Sequence, residues 1–390
     1  MIDVGALRAD TPGVEEVIHL NNAGSALMPL PVVDSILGFL DIEVRRGGYE
    51  TREAFSAEID GVYRSIGRLI NAQPEEIALA DNATRAWDMA FYGLGLGSGD
   101  RILTTSTEYV SNWVAYLHLR DTRGVTVDVV PDAPTGEIDT EALRRTIDGS
   151  VKLITLNHVP TNSGLVNPAE EVGAIARSHG ILFLLDACQS VGQLPVDVET
   201  IGCDMLAATS RKYLRGPRGQ GFLYVRNSML DRVTPPLVEL ESASAVTPDS
   251  YELRDSARRF ETWEKNYANV LGLGTAVDYA LDIGIEPIWE RIRTLARTMR
   301  EGLGSINGVT VRDLGAVQCG IVTFDVEGRA PDEIKELLRE DSINVSTSTS
   351  SSSPVDMHQR GLEGLVRASV HAYNAEDEID VFLGAVAALS

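Results

Sequence analysis

The residues of this chain whose types and spacing suit chemistry stand around Asp186 and Lys212, 26 positions apart. Asp186 ends the run Ile181-Leu-Phe-Leu-Leu, five apolar residues that read as a strand buried on both faces of a parallel sheet. Ligands of open α/β sheets bind at the carboxyl ends of strands, where Asp186 falls. Lys212 follows a second apolar run, Asp204-Met-Leu-Ala-Ala-Thr-Ser210. A buried lysine can hold an aldehyde cofactor as a Schiff base, and a carboxylate can pair with a protonated pyridine nitrogen. Together they point to pyridoxal phosphate. As a bare pair they also read as a structural ion pair. Gln189 and Ser210 move the balance, offering an amide to the cofactor's phenolate oxygen and a hydroxyl to its phosphate.

These side chains need a sheet and its crossovers to hold them. Ile77-Ala-Leu-Ala80 reads as a strand that runs through Asp81-Asn82-Ala83-Thr84 into a helix, and the free N–H groups of such a start suit an anion. The same residues also read as a plain N-cap. Further strands are expected at Arg101–Thr105, Val125–Val130 (exposed, by its alternation) and Val151–Asn157, with a crossover helix over Pro168–Gly180. Strand–helix–strand units of this kind imply a mostly parallel sheet with right-handed crossovers. The glycines of 93–99 precede a strand rather than follow one, so they do not form a dinucleotide fingerprint. Pro31–Val44 and Ala54–Asn71 have helical periods, separated by the turn Arg45-Arg46-Gly47-Gly48-Tyr49. Strands at Val309–Arg312, Gly320–Asp325 and Val366–Val370 alternate with helices at 288–303, 331–340 and 376–389. Ser346-Thr-Ser-Thr-Ser-Ser-Ser-Ser-Pro354 has the composition of a flexible linker.

At 390 residues the chain suits a large domain with a smaller one. The expected division is 20–265 as the large cofactor-binding domain, with 1–19 and 266–390 as the second. The net charge of −23, from 57 acidic and 34 basic residues, argues against nucleic acid or an anionic membrane surface as a partner. No apolar run is expected to span a bilayer, and the first residues lack a signal-peptide pattern, so the expected location is the cytoplasm. Cys188, Cys203 and Cys319 show no metal-ligand spacing and read as free thiols, with no metal site.

From Leu20-Asn-Asn-Ala-Gly24 to Val366-Arg-Ala-Ser-Val-His-Ala-Tyr-Asn374, the order and spacing of these motifs resemble class V aminotransferases, fold-type I pyridoxal phosphate enzymes. That group includes cysteine desulfurases, isopenicillin N epimerase-like proteins and C–S lyases. The resemblance implies an α/β fold with a seven-stranded, mostly parallel sheet, a smaller α+β C-terminal domain and a homodimer with shared active sites. It gives Ala83, Thr84, Ser210 and Arg211 to the phosphate, with Thr262 reaching a neighbouring subunit's phosphate. Tyr109 would stack on the ring where desulfurases have His, with Trp113 as the alternative. Asn162 would lie near the cofactor and the substrate carboxylate. Ala23, Gly24 and Tyr49 would contact substrate, and Arg367 would clamp its carboxylate. Lys212 and Asp186 are the implied catalytic pair. Desulfurases carry a sulfur-accepting cysteine in the segment that is here Ser346–Ser353. Its absence, with the Gly-Gly-Tyr turn, points to a C–S lyase working by β-elimination on a cysteine-derived substrate, within the wider class of small-molecule amino acids and amines. Transamination, epimerisation, an oxidative reaction and a non-catalytic binding role are the other readings.

Overall fold

A computed structural model describes residues 2–390. Its centre is a seven-stranded sheet with spatial order Ile77–Ala80, Gly221–Val225, Met205–Thr209, Leu182–Asp186, Val151–Asn157, Arg101–Thr104 and Thr126–Val129. All neighbours are parallel except Gly221–Val225, which runs antiparallel to both strands beside it. The five residues Leu182–Asp186 are all buried, for the reason their composition implied. Phe183 and Leu185 enter the core on one face, while Leu182 and Leu184 enter the core on the other. Each face is covered by helices. Ala169–His179 crosses over to Leu182–Asp186 and ends at Gly180, whose φ of +66° is left-handed. Its approach to the next layer is close, since a Cβ on Gly173 would lie 1.8 Å from the Ile201 carbonyl oxygen.

Residues 309–369 form a four-stranded antiparallel sheet in the order Val309–Val311, Ile321–Val326, Gly364–Ser369, Ser346–Thr349. The serine-rich stretch read as a flexible linker is therefore partly a strand. Ser346–Thr349 pairs with Gly364–Arg367, because the edge of Gly364–Ser369 supplies the backbone partners its own composition does not announce. The Gly-Gly-Tyr turn also differs from expectation. Gly47, at φ +93°, interrupts the helix Leu30–Arg46, and a second helix begins at once over Gly48–Ala54. Residues 237–253 hold a hairpin, Ala243–Thr247 with Ser250–Leu253, that no sequence signal announced.

Residues 18–25 join the two sheets. Ile18–His19 pairs in parallel with Ile343–Asn344. Asn22 Nδ2 donates to the Ser369 carbonyl at 2.8 Å, and the Ala23 N–H donates to Ser369 Oγ at 2.9 Å. Against the expectation that no apolar run would suffice to span a bilayer, an 18-residue window within Asn22–Arg46 reaches a mean hydropathy of 1.5, enough by length and composition alone to cross a membrane. The fold divides it at Ala26–Pro29, and the helix Leu30–Arg46 packs on Tyr267–Ile283.

Candidate active site

Strand ends and one helix start enclose a cavity of about 270 Å³ at the carboxyl edge of the large sheet. Asp186 and Lys212 line it, with Cys188 and Gln189 from the turn after Leu182–Asp186. Asn82 caps the helix Ala83–Gly93 by accepting from the Arg85 N–H at 2.9 Å, which aims the first free N–H groups of the helix at Ala83 and Thr84 on the cavity wall. Gly221 permits this approach, since a Cβ there would lie 2.9 Å from the Ala83 nitrogen and 2.6 Å from the Ala208 carbonyl oxygen. Arg211 and Tyr109 complete the rim. The Arg211 guanidinium donates to the Gly24 carbonyl, and Gln189 Nε2 donates to the Ala23 carbonyl at 3.1 Å, so the N-terminal segment props both.

Asp186 is 6% exposed and accepts two hydrogen bonds, from the Cys188 N–H at 3.0 Å and from Asn112 Nδ2 at 3.0 Å. The Lys212 amine forms no ion pair among the described residues. Burial, with Arg211 and Arg367 nearby, pushes it down to about 8. Such an amine is neutral, and hence nucleophilic, over far more of the ordinary pH range than a solvated lysine. The Cys188 thiol is pushed well up by burial and by the Asp186 carboxylate, which keeps it from serving as a thiolate.

Arg367, 8% exposed, sits behind the cavity wall. Its Nη1 donates to Thr161 Oγ1 at 2.8 Å and to the Thr161 carbonyl at 3.1 Å, while its buried Nε has no partner. Thr161 itself lines the cavity. A guanidinium held on one side with its Nε edge free is prepared for a carboxylate.

Other expected site residues lie elsewhere. Ser210, fully buried, turns its hydroxyl away to the Pro217 carbonyl at 2.8 Å and does not line the cavity. Asn162 Nδ2 is held by Asp356 Oδ2 at 3.3 Å and Met357 Sδ at 3.4 Å, leaving its buried Oδ1 without a partner behind the wall. Trp113, half-buried, packs edge-on to Tyr116 against the core, so Tyr109 is the aromatic at the cavity. Thr262 is exposed and lies outside the cavity of its own subunit. Tyr49, 72% exposed, stands beside a different groove with Arg52, Tyr63 and Arg258. Sequence reasoning missed Glu108 and Asn112 as parts of the site. Their signal was a Glu and an Asn four positions apart at a helix start, which gives no hint of a partner 74 residues away.

Comparison with known proteins bears on this cavity directly. The family model described as aminotransferase class V matches residues 18–382. A probable cysteine desulfurase of Pyrococcus abyssi is 30% identical over 385 residues, covering 97% of this chain and 95% of that protein. The apo structure of a cysteine desulfurase from Thermococcus onnurineus NA1 superposes with a TM-score of 0.93 at 29% identity, over 100% of this chain and 98% of that one. A cystine C–S lyase, solved with its product cysteine persulfide, shares the fold with a TM-score of 0.88 at 24% identity, over 97% and 99% of the two chains.

The cavity fits a phosphorylated pyridine aldehyde on its own evidence. It offers one nucleophilic amine, a carboxylate on a strand end and an anion cradle made by Arg211, the Ala83 helix start and the Cβ-free Gly221. Gln189, expected to donate to the cofactor's phenolate oxygen, has its Nε2 committed to the Ala23 carbonyl, and the buried atom it leaves without a protein partner is the accepting Oε1.

Proposed function

We propose that this chain, which belongs to the class V aminotransferase family of pyridoxal phosphate-dependent enzymes, is a C–S lyase that cleaves cysteine or a cysteine-derived amino acid by β-elimination. One observation carries this choice. Ser346–Ser353, where the desulfurases of this family place their sulfur-accepting cysteine, contains only serine and threonine. The same stretch is fastened in place. The Val110 N–H donates to the Ser352 carbonyl at 3.2 Å, and Ser353 Oγ donates to the Glu108 carbonyl at 3.2 Å.

The residues then divide the work. Ala83, Thr84 and Arg211 bind the cofactor's phosphate, Tyr109 covers its ring, and Asp186 keeps its ring nitrogen protonated. The bound cofactor supplies a sink for the electron pair left on the substrate's α-carbon. Arg367 fixes the substrate carboxylate, with Ala23 and Gly24 at the mouth. Once the substrate amine has taken its place, Lys212 removes the α-proton at Nζ. The Cβ–S bond breaks with its electron pair going to sulfur, which leaves as sulfide or persulfide and takes a proton. Water then releases pyruvate and ammonia. Residues 20–265 act as the cofactor domain, and 1–19 with 266–390 as the second unit. The active form in this reading is a homodimer. Exposed Leu37, Leu40 and Val44 on the helix Leu30–Arg46 offer an apolar stripe, and Thr262 is free to reach a neighbour. The three unpaired cysteines agree with a reducing, cytoplasmic setting.

The test is to supply cysteine and cystine and to measure pyruvate, ammonia and any pyridoxamine form of the cofactor. Pyruvate and ammonia in equal amounts, with no sulfur added to Cys188, Cys203 or Cys319 by mass spectrometry, are expected. A sulfur atom retained on one of these cysteines during turnover would overturn the lyase reading in favour of a desulfurase. Conversion to the pyridoxamine form would favour transamination.

A further inference from the structure

Behind Asp186 lies a second buried carboxylate that the proposed reaction does not use. Glu108, 1% exposed, sits in the turn between Arg101–Thr104 and the helix Val110–Arg123. No cation comes within ion-pair distance of it among the described residues. Five donors surround it instead. The Tyr109 N–H at 2.8 Å, Asn112 Nδ2 at 3.0 Å and Asn157 Nδ2 converge on Oε1. Thr104 Oγ1 at 2.7 Å and the Tyr116 hydroxyl at 2.8 Å reach Oε2.

Asn112 is shared. Its Nδ2 also donates to Asp186 Oδ2 at 3.0 Å, so one amide bridges two carboxylates. An ionised carboxylate only accepts, so only the NH₂ end of the amide can face both. Glu108 therefore dictates which way Asn112 points, and Asn112 in turn holds one oxygen of Asp186. The Cys188 N–H at 3.0 Å holds the other. The titratable groups facing Glu108 are Asp186 and Tyr116; beyond Asp186 stand Lys212, Cys188 and Arg211. Among the described residues no positive side chain neutralises Glu108. Burial pushes its carboxyl up, and the Thr104, Tyr116 and Tyr109 donors oppose that. Five donors with no acceptor suit the ionised form, whose charge acts on whatever Asp186 touches.

We propose that Glu108 is a positioning residue for the cofactor: through Asn112 it fixes the carboxylate of Asp186, and its buried charge helps keep the ring nitrogen protonated. This rests on the reading of the cavity as a pyridoxal phosphate site. A purely structural Glu108 would hold the turn together but leave the ring nitrogen's proton affinity untouched.

Two substitutions separate charge from position. In Glu108→Gln the three N–H donors keep an oxygen at the Oε1 position, so the amide nitrogen falls at Oε2, where the Thr104 and Tyr116 hydroxyls accept. The bridge survives and the charge is lost. Asn112→Ala removes the bridge and leaves four donors on Glu108. The readout is nitrogen-15 NMR of enzyme loaded with cofactor labelled at the ring nitrogen, titrated with pH, beside cofactor content and steady-state kinetics.

Both variants should bind cofactor in full and release the ring proton about one pH unit lower than the wild type. kcat should fall about tenfold at unchanged KM. Ring-nitrogen titrations superimposable on the wild type in Asn112→Ala would overturn the proposal, and that variant decides the question alone if Glu108→Gln fails to fold. A wild type that binds no cofactor would sink the reading of the cavity and this inference with it. A wild type that binds normally beside unaffected variants would sink this inference only.

Discussion

Arg367 gives the most exacting test of how substrate is held. Its Nη1 is committed to Thr161 by two hydrogen bonds, at 2.8 and 3.1 Å, so the free edge is the one carrying the partnerless Nε. A carboxylate docked on that edge would receive a two-point, charge-assisted grip. Arg367→Lys keeps the charge but offers a point donor in place of a planar fork, and it also strands the Thr161 carbonyl. The net loss is about one charge-assisted hydrogen bond, roughly 1.5–3 kcal/mol, or about 10- to 150-fold in kcat/KM. Cofactor affinity should not change, because Ala83, Thr84 and Arg211 line the cavity and Arg367 does not. The assay titrates cofactor by its visible absorption and measures pyruvate release from cysteine and cystine with the same preparation. Unchanged kcat/KM in Arg367→Lys would refute the clamp and point to a substrate without an α-carboxylate. A parallel fall in cofactor affinity would mean that the arginine belongs to the phosphate end.

The other predictions follow from single observations. Lys212→Ala should lose the visible band of the lysine-held cofactor, and with it any product trapped by borohydride. Asp186→Ala should still bind the aldehyde but nearly lose turnover, measured as pyruvate release. Burial lowers Lys212 from 10.5 in the unfolded chain to about 8 in the fold, so the unfolded state binds more protons between these values and cofactor-free stability rises with pH across that window. Lys212→Met apoprotein should therefore unfold at higher denaturant than the wild type below pH 8, with the gain gone by pH 10.5. Gly173→Ala would drive a methyl group into the Ile201 carbonyl, and should cost at least about 1–3 kcal/mol in a denaturant titration.

What the sequence disclosed was whatever depends on local pattern. The buried run before Asp186 announced the central strand, and helices such as Pro331–Glu340 and Glu376–Leu389 begin and end where their periodicity and first-turn acids place them. Partners were not disclosed. The hydroxyl of Ser210 faces Pro217, not the cavity, a matter of one rotamer and a glycine loop that no motif encodes. The serine-rich stretch pairs as a strand because Gly364–Arg367 lies beside it, and composition sees only one side of a ladder. Glu108 and Asn112 carry their meaning through Asp186, which periodicity cannot connect to them.

The N-terminal strap has a consequence for the order in which the protein is made. Ala23 and Gly24 prop Gln189 and Arg211 at the cavity, yet Asn22 and Ala23 are themselves anchored by Ser369, 347 positions from Asn22. A ribosome delivers the strap long before its anchor. The large sheet is complete by residue 225, and the strap can then meet Gln189, Arg211 and Arg215, but its contacts with Asn344 and Ser369 do not yet exist. The cavity mouth is thus finished only when Ile343–Asn344 has paired with Ile18–His19 and Ser369, at the end of Gly364–Ser369, has bonded to Asn22 and Ala23. Until then, the growing chain carries Lys212 and Arg211 beside an unfinished cavity mouth, with the arginine that would hold a substrate carboxylate, Arg367, still to come.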